Sequence, residues 1–102
     1  MNSSPSITKL SNANGDMEYH IEVDSEWDGV DSVVRYLTTH WSGIVIESAE
    51  AVYSRRWVVR VRHVPITIIH DSQLGNYFVR EDGNRDLSLL EEIALDLIKR
   101  LS

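Results

Sequence analysis

The chain has 102 residues, 42% of them hydrophobic, with a formal net charge of −6 and no cysteine. A chain of this length buries roughly 65% of the surface it exposes when unfolded, enough for one core and not for a second domain. The missing cysteine excludes disulfides, a thiolate nucleophile and Cys-ligated zinc and suits a reducing, cytoplasmic setting, while the negative balance argues against nucleic acid and anionic membrane and for a basic protein partner.

In chain order, Met1 to Asn14 is rich in Ser and Asn, with one lysine and no apolar core. It is read as a flexible N-terminal tail (1–14), neither a secretory signal nor a membrane segment, followed by one α+β domain over 15–102. Asn14, Gly15 and Asp16 are turn chemistry, because glycine supplies the positive φ that a tight reversal needs. Met17, Tyr19, Ile21 and Val23 then alternate with Glu18, His20 and Glu22, the period of a strand with one wet face. Trp27, Val30, Val34, Leu37 and Trp41 recur at helical spacing with Val33 beside them. Ser25 and Asp28 resemble the capping box of that helix, and Gly43 can end it in a left-handed turn.

From Ile44 to Asp82 the pattern changes to β-branched and aromatic runs: 44–46, 57–59, 66–69 and 77–79. Short connections between them predict an antiparallel meander, with Pro65 marking one break. Ser88 with Glu91 forms a second capping box, and Leu90, Ile93, Ala94, Leu97, Ile98 and Leu101 make the stripe of a C-terminal helix. The order β-α-β-β-β-β-α therefore predicts a two-layer, mostly antiparallel α+β domain with both helices on one face of the sheet.

Asp16, Glu18, Glu22, Asp24, Glu26, Asp28 and Asp31 follow one another with no Lys or Arg between them. Asp24, Glu26, Asp28 and Gly29 mimic the start of an EF-hand loop, but the twelfth position, which must supply a bidentate carboxylate, is Arg35. The segment is read instead as an acidic helix start, with Asp31 and Arg35 an i,i+4 pair. Its excess of acids makes Asp24, Glu26, Asp28 and Asp31 candidates for meeting a basic protein.

The second candidate surface comes from strand parity. Trp57, Val59 and Val61 point to the core, and Arg56, Val58, Arg60, Arg62 and Val64 point away from it. Glu47 or Glu81 are the expected neutralising partners. A sheet covered on one side only would leave Arg56, Val58, Arg60 and Arg62 on an aliphatic and arginine-rich face suited to recognition. Trp57 lies on the opposite parity from these arginines, against a single-strand nucleic-acid platform. The four histidines show no metal-ligand spacing, and no nucleophile elbow, phosphate loop or dinucleotide fingerprint occurs. No metal, cofactor or catalytic residue is therefore expected, and the chain reads as a non-enzyme. The competing enzymatic reading takes His70 and Asp71 as an acid-base pair in a helix-sheet cleft.

Across Ser48 to Leu101, the run Tyr53, Ser54, Arg55, Arg56, Trp57, then Ile66 to His70, Tyr77, Phe78 and a Leu-rich terminal helix resembles a family of small, uncharacterised gammaproteobacterial proteins. The resemblance implies a bacterial cytoplasmic protein and carries over no functional residues. Together these readings favour a protein-binding module of inhibitor or immunity type, with a homodimer through the open sheet face as a further alternative.

Overall fold

The computed structural model describes residues 6–22 and 30–101, and it opens with a hairpin where the sequence suggests a loose tail. Strand β1 (Ser6–Ser11) pairs antiparallel with β2 (Met17–Glu22), correcting the reading of 1–14 as flexible for residues 6–11. The turn forms as its residues require. The Asn12 side-chain oxygen accepts the Asn14 and Asp16 N–H groups (2.9 and 3.0 Å), and Gly15 adopts φ +82°. β1 escapes the sequence pattern because it is an edge strand: only Ile7 is even half-buried, so polar residues occupy both of its faces.

Helix α1 (Val30–His40) follows, then β3 (Ile44–Glu50), β4 (Ser54–Val61), β5 (Val64–Asp71), β6 (Gly75–Val79) and helix α2 (Ser88–Leu101). The sheet order is β1-β2-β6-β5-β4-β3, and every neighbouring pair is antiparallel. The expected meander is present, and the last strand returns to pair with β2. α1 thus lies between β2 and the parallel, non-adjacent β3, which are separated in the sheet by β6, β5 and β4.

Both helices cover the same side. Val33, Tyr36 and Leu37 of α1 and Leu90, Ile93 and Leu97 of α2 share one core with Tyr19, Val59, Val61, Ile66, Ile68 and Phe78 of the sheet. Burying each such aliphatic or aromatic side chain stabilises the fold by about 1.5–3 kcal/mol, and together they hold the two layers. Tyr19 and Phe78 stack across the β2–β6 seam at 5.0 Å between centroids. The α+β architecture with helices on one face is as the sequence predicts, with β1 added.

Three local expectations change. Ser42, not Gly43, takes the left-handed conformation after α1 (φ +54°), while the Gly43 N–H donates to the Leu37 carbonyl (3.0 Å). Glycine is needed there for space, since a Cβ would lie 2.6 Å from Val59 Cγ1 and 3.0 Å from the Leu37 oxygen. α2 is capped by Asp86, whose Oδ1 accepts the Ser88 N–H and hydroxyl (3.1 and 2.6 Å), whereas the Glu91 carboxylate turns to Lys9 on β1. The break between β4 and β5 lies at Arg62 and His63, both at positive φ (49° and 67°), and not at Pro65. Pro65 sits inside β5 beyond the last paired residue of β6, so its missing N–H interrupts no ladder on that side.

Arg80, 9% exposed, organises the connection into α2. Its guanidinium clasps both oxygens of Asp82 (2.8 and 3.0 Å) and donates to the Asp86 carbonyl (2.9 Å). Asp82 in turn accepts the Asn84 N–H and Asn84 accepts that of Asp86, so each short polar side chain fixes the residue two places on.

Candidate partner interface

Antiparallel partners point to the same face, so the strand register sorts the side chains. On the side away from the helices, one row runs Thr8, His20, Tyr77, Ile69, Arg56 and Ala49, and the next runs Leu10, Glu18, Val79, Thr67, Val58 and Glu47. A third begins Pro65, Arg60 and Ile44. Arg56, Val58 and Arg60 therefore point away from the core, as their parity predicts.

The middle of that face is closed. Val58 is only 5% exposed, and Thr67, Tyr77, Val79 and His20 are buried with it. The side chains around them are long and bound to one another. Arg56 reaches over β5 to Glu81 (2.9 Å), His20 meets Glu18 (2.8 Å) and stacks on Tyr77 (centroids 4.5 Å), and Asn12 donates to Glu18 (3.2 Å). Glu81 is one of the two acids expected to neutralise this strand. Val58 consequently offers no docking surface, which corrects its assignment as an exposed partner residue.

Arg62 lies elsewhere altogether. The left-handed turn carries it to the helix side, where it pairs with Glu92 of α2 (3.4 Å) and sits over the Trp41 ring (5.1 Å). Val64, opposite Val61, also packs against the core. The expected outward direction fails for both because the strand ends at Val61.

Of the acidic candidates, Asp24, Glu26 and Asp28 lie outside the described residues, as does the proposed cap of Ser25 with Asp28. Asp31 is described and engaged: both of its oxygens accept from Arg55 of β4 (3.1 and 3.3 Å), in place of the expected i,i+4 partner Arg35. Glu50 binds the same guanidinium (3.2 Å), so this triad ties α1, β3 and β4 together.

His70 and Asp71 do not form an acid-base pair. As consecutive residues of a strand they face opposite sides of the sheet. His70 Nδ1 is 2.7 Å from the Asn76 side-chain oxygen, and Asp71 accepts the Gln73 and Leu74 N–H groups (2.8 and 3.0 Å), which hold its carboxyl below the ordinary value. Asp71 is therefore the cap of the β5–β6 turn.

A groove of 580 Å³ lies between the helices, lined by Arg35, Tyr36, His40, Leu97 and Arg100 among others. Two of its polar side chains, Tyr36 and Arg100, are engaged beside it. The Tyr36 hydroxyl donates to Asp96 and accepts from the Trp41 indole (2.7 Å), while Arg100 donates to Asp96 (2.8 Å). Burial and the Asp96 charge push the Tyr36 hydroxyl far up, and that hydroxyl and Arg100 hold the Asp96 carboxyl down. The network clamps one helix to the other.

What remains open is the β3 edge. All seven of its residues are exposed, including Ile44, Val45 and Ile46 at 56, 39 and 43%. The hairpin that follows adds Val52 and Tyr53, the most exposed large apolar side chains of the chain's described residues at 86 and 74%. A β-bulge sits between Val45 and Glu47. The sequence marks 44–46 as a strand without its place in the sheet, because nothing in an apolar run distinguishes an edge from a centre.

Comparison with protein-family models, with curated proteins and with solved structures found no match. Among the described residues no group of three or more His, Asp or Glu side chains is placed to hold a metal, and no helix is long and apolar enough to cross a membrane.

Proposed function

We propose that this chain is a non-enzymatic protein-binding module whose docking surface is the β3 edge together with the β3–β4 hairpin. The observation that supports it is an edge strand, paired with β4 on one side only, with three consecutive exposed aliphatic residues, adjoining Val52 and Tyr53. Unpaired backbone N–H and C=O groups beside apolar side chains are the elements of β-augmentation, in which an added strand supplies hydrogen bonds and the side chains supply selectivity. A net charge of −6 favours a basic protein partner, and an inhibitor or immunity-type role in the bacterial cytoplasm is the concrete form of this reading. The enzymatic alternative draws no support from His70 and Asp71, which are held apart.

Photo-crosslinking amino acids at positions 52 and 53, compared with Leu74 and Leu95 as exposed apolar positions away from the edge, test the reading in cells. Discrete adducts confined to 52 and 53 are expected. Equal labelling at all four positions, or none at the edge, overturns it.

A further inference from the structure

We infer that the β3 edge is filled by a second copy of this chain, in an antiparallel pair that joins two sheets across a two-fold axis. The inference rests on the reading of β3 as a docking surface and takes its occupant to be a second copy in place of a basic protein, the local charges of the edge outweighing the net charge. It begins with the bulge. Ile44 is opposite Arg60 and Glu47 is opposite Val58, so both point to the face away from the helices although they are three residues apart. A regular strand would place residues three apart on opposite faces. The extra residue, Ile46, has no partner of its own on β4 and lies beside Val45 at the centre; taken to share Val45's face, as two residues set against one, it makes the pattern of faces read the same from either end.

Such an edge is complementary to itself. With the axis between Val45 and Ile46, Val45 pairs with Ile46 of the second copy, and Ile44 pairs with the other copy's Glu47. The apolar residues then meet at the centre. Arg60, Ile44 and the other copy's Glu47 fall in one row on one face. Arg60 and Glu47 are both exposed, and neither side chain makes an ion pair or hydrogen bond within its own chain's described residues. The pair would span two strand spacings, roughly 10 Å between backbones. Arg56 already covers a comparable span on the same face, passing over β5 to Glu81 at 2.9 Å. The two-fold repeats the bridge, so two otherwise unpaired acids and two unpaired bases are matched at once.

The assembly also closes. An isologous pair uses up β3 in both copies, and the edge left at each end is β1, where Ser6, Thr8 and Lys9 are committed to Glu22 and Glu91. Two chains therefore make one continuous sheet whose ends carry a single exposed apolar side chain, Leu10, among tethered polar ones, and further copies find no equivalent edge.

Sedimentation of the full chain over a range of concentrations tests the inference, and two charge reversals make it specific. The wild-type chain is expected to dimerise. Glu47→Arg and Arg60→Glu each place like charges in both bridges and should weaken the dimer at least about tenfold. Mixing the two variants restores both bridges in a heterodimer, because each copy supplies the charge that the other now needs. This mixing result cannot come from a folding defect in either variant. Wild-type protein that stays monomeric at every concentration, single variants that dimerise as wild type does, or a mixture that stays monomeric would each overturn the inference. In those cases adducts at positions 52 and 53 with a different protein would leave the docking-surface reading standing, and their absence would remove that too.

Discussion

The two edges of the sheet are built to opposite purposes. Along β1 the polar side chains are tethered: Ser6 and Thr8 donate to Glu22 (3.0 and 3.1 Å), and Lys9 crosses to Glu91 on α2 (3.0 Å), leaving Leu10 as the one exposed large apolar residue of the strand. Along β3 the first three residues are aliphatic and exposed, and a bulge re-aims the residues after them. An edge with its side chains spent on its own molecule resists strand addition, and one with its side chains unspent invites it. The difference shows that exposure alone does not mark a site; what marks it is exposure without internal commitment.

The largest test of this contrast lies between the edges. Phe78→Ala removes the ring that stacks on Tyr19 and anchors the β1–β2 hairpin, and should cost about 3–5 kcal/mol in urea unfolding. A loss below about 1 kcal/mol would show that the β1 edge does not depend on this seam. Next in size, Gly43→Ala drives a methyl group into Val59 and the Leu37 carbonyl at the entrance to β3. It should cost about 1–3 kcal/mol in the same measurement, with hydrogen exchange accelerated first in β3. No loss would mean that β3 is joined to its neighbours more loosely than its register implies.

The third test is acid. The Glu91 carboxyl is held below its ordinary value by the Tyr19 hydroxyl and by Lys9. The Tyr19 hydroxyl is buried and short of full hydrogen-bond geometry, and burial with the neighbouring carboxylate pushes it far up. A carboxyl depressed in the folded state contributes stability above its unfolded pKa and loses it as pH falls through the folded value. Stability should therefore decline below about pH 4, where Asp82, Asp86 and Asp96 act in the same direction. Glu91→Gln should reduce the difference in urea midpoint between pH 5 and pH 3; an unchanged difference would remove this tether from the account of β1. The smallest effect is expected from Ile46→Lys. It should leave monomer stability within about 0.5 kcal/mol of wild type while abolishing association through β3, read by unfolding and light scattering together.

Much of this fold is legible without coordinates, because buried faces impose periods. The stripe over Leu37 and Trp41, the C-terminal stripe from Leu90 to Leu97 and the alternation of Met17, Tyr19 and Ile21 each report a surface that must meet a core. β1 is hidden because an edge strand with one half-buried residue carries no such period. The turn at Arg62 and His63 is hidden for a different reason: neither glycine nor asparagine announces its positive φ, so parity extrapolated through it sends Arg62 and Val64 to the wrong side. The site was legible in part. Parity placed Arg56 and Arg60 correctly, and cross-strand charge anticipated Glu81, but the bulge that aligns Ile44 with Glu47 depends on pairing and leaves no mark in the amino acids themselves.

The β2–β6 seam sets an order of events during synthesis. β2 pairs with β1 and β6 only, and its register joins His20 to Tyr77. A nascent chain that ends at Asp71 already contains α1 and the β3–β4–β5 meander, yet offers the N-terminal hairpin no strand to dock on. The hairpin must stay apart until β6 (Gly75–Val79) has left the ribosome, and closing so long a loop is the slow kind of contact formation. Throughout that interval the meander presents two bare borders, with β5 waiting for β6 on one side and β3 unpaired on the other. Association through β3 of the kind inferred above would then be open to incomplete copies too, through the border that the finished protein also leaves open.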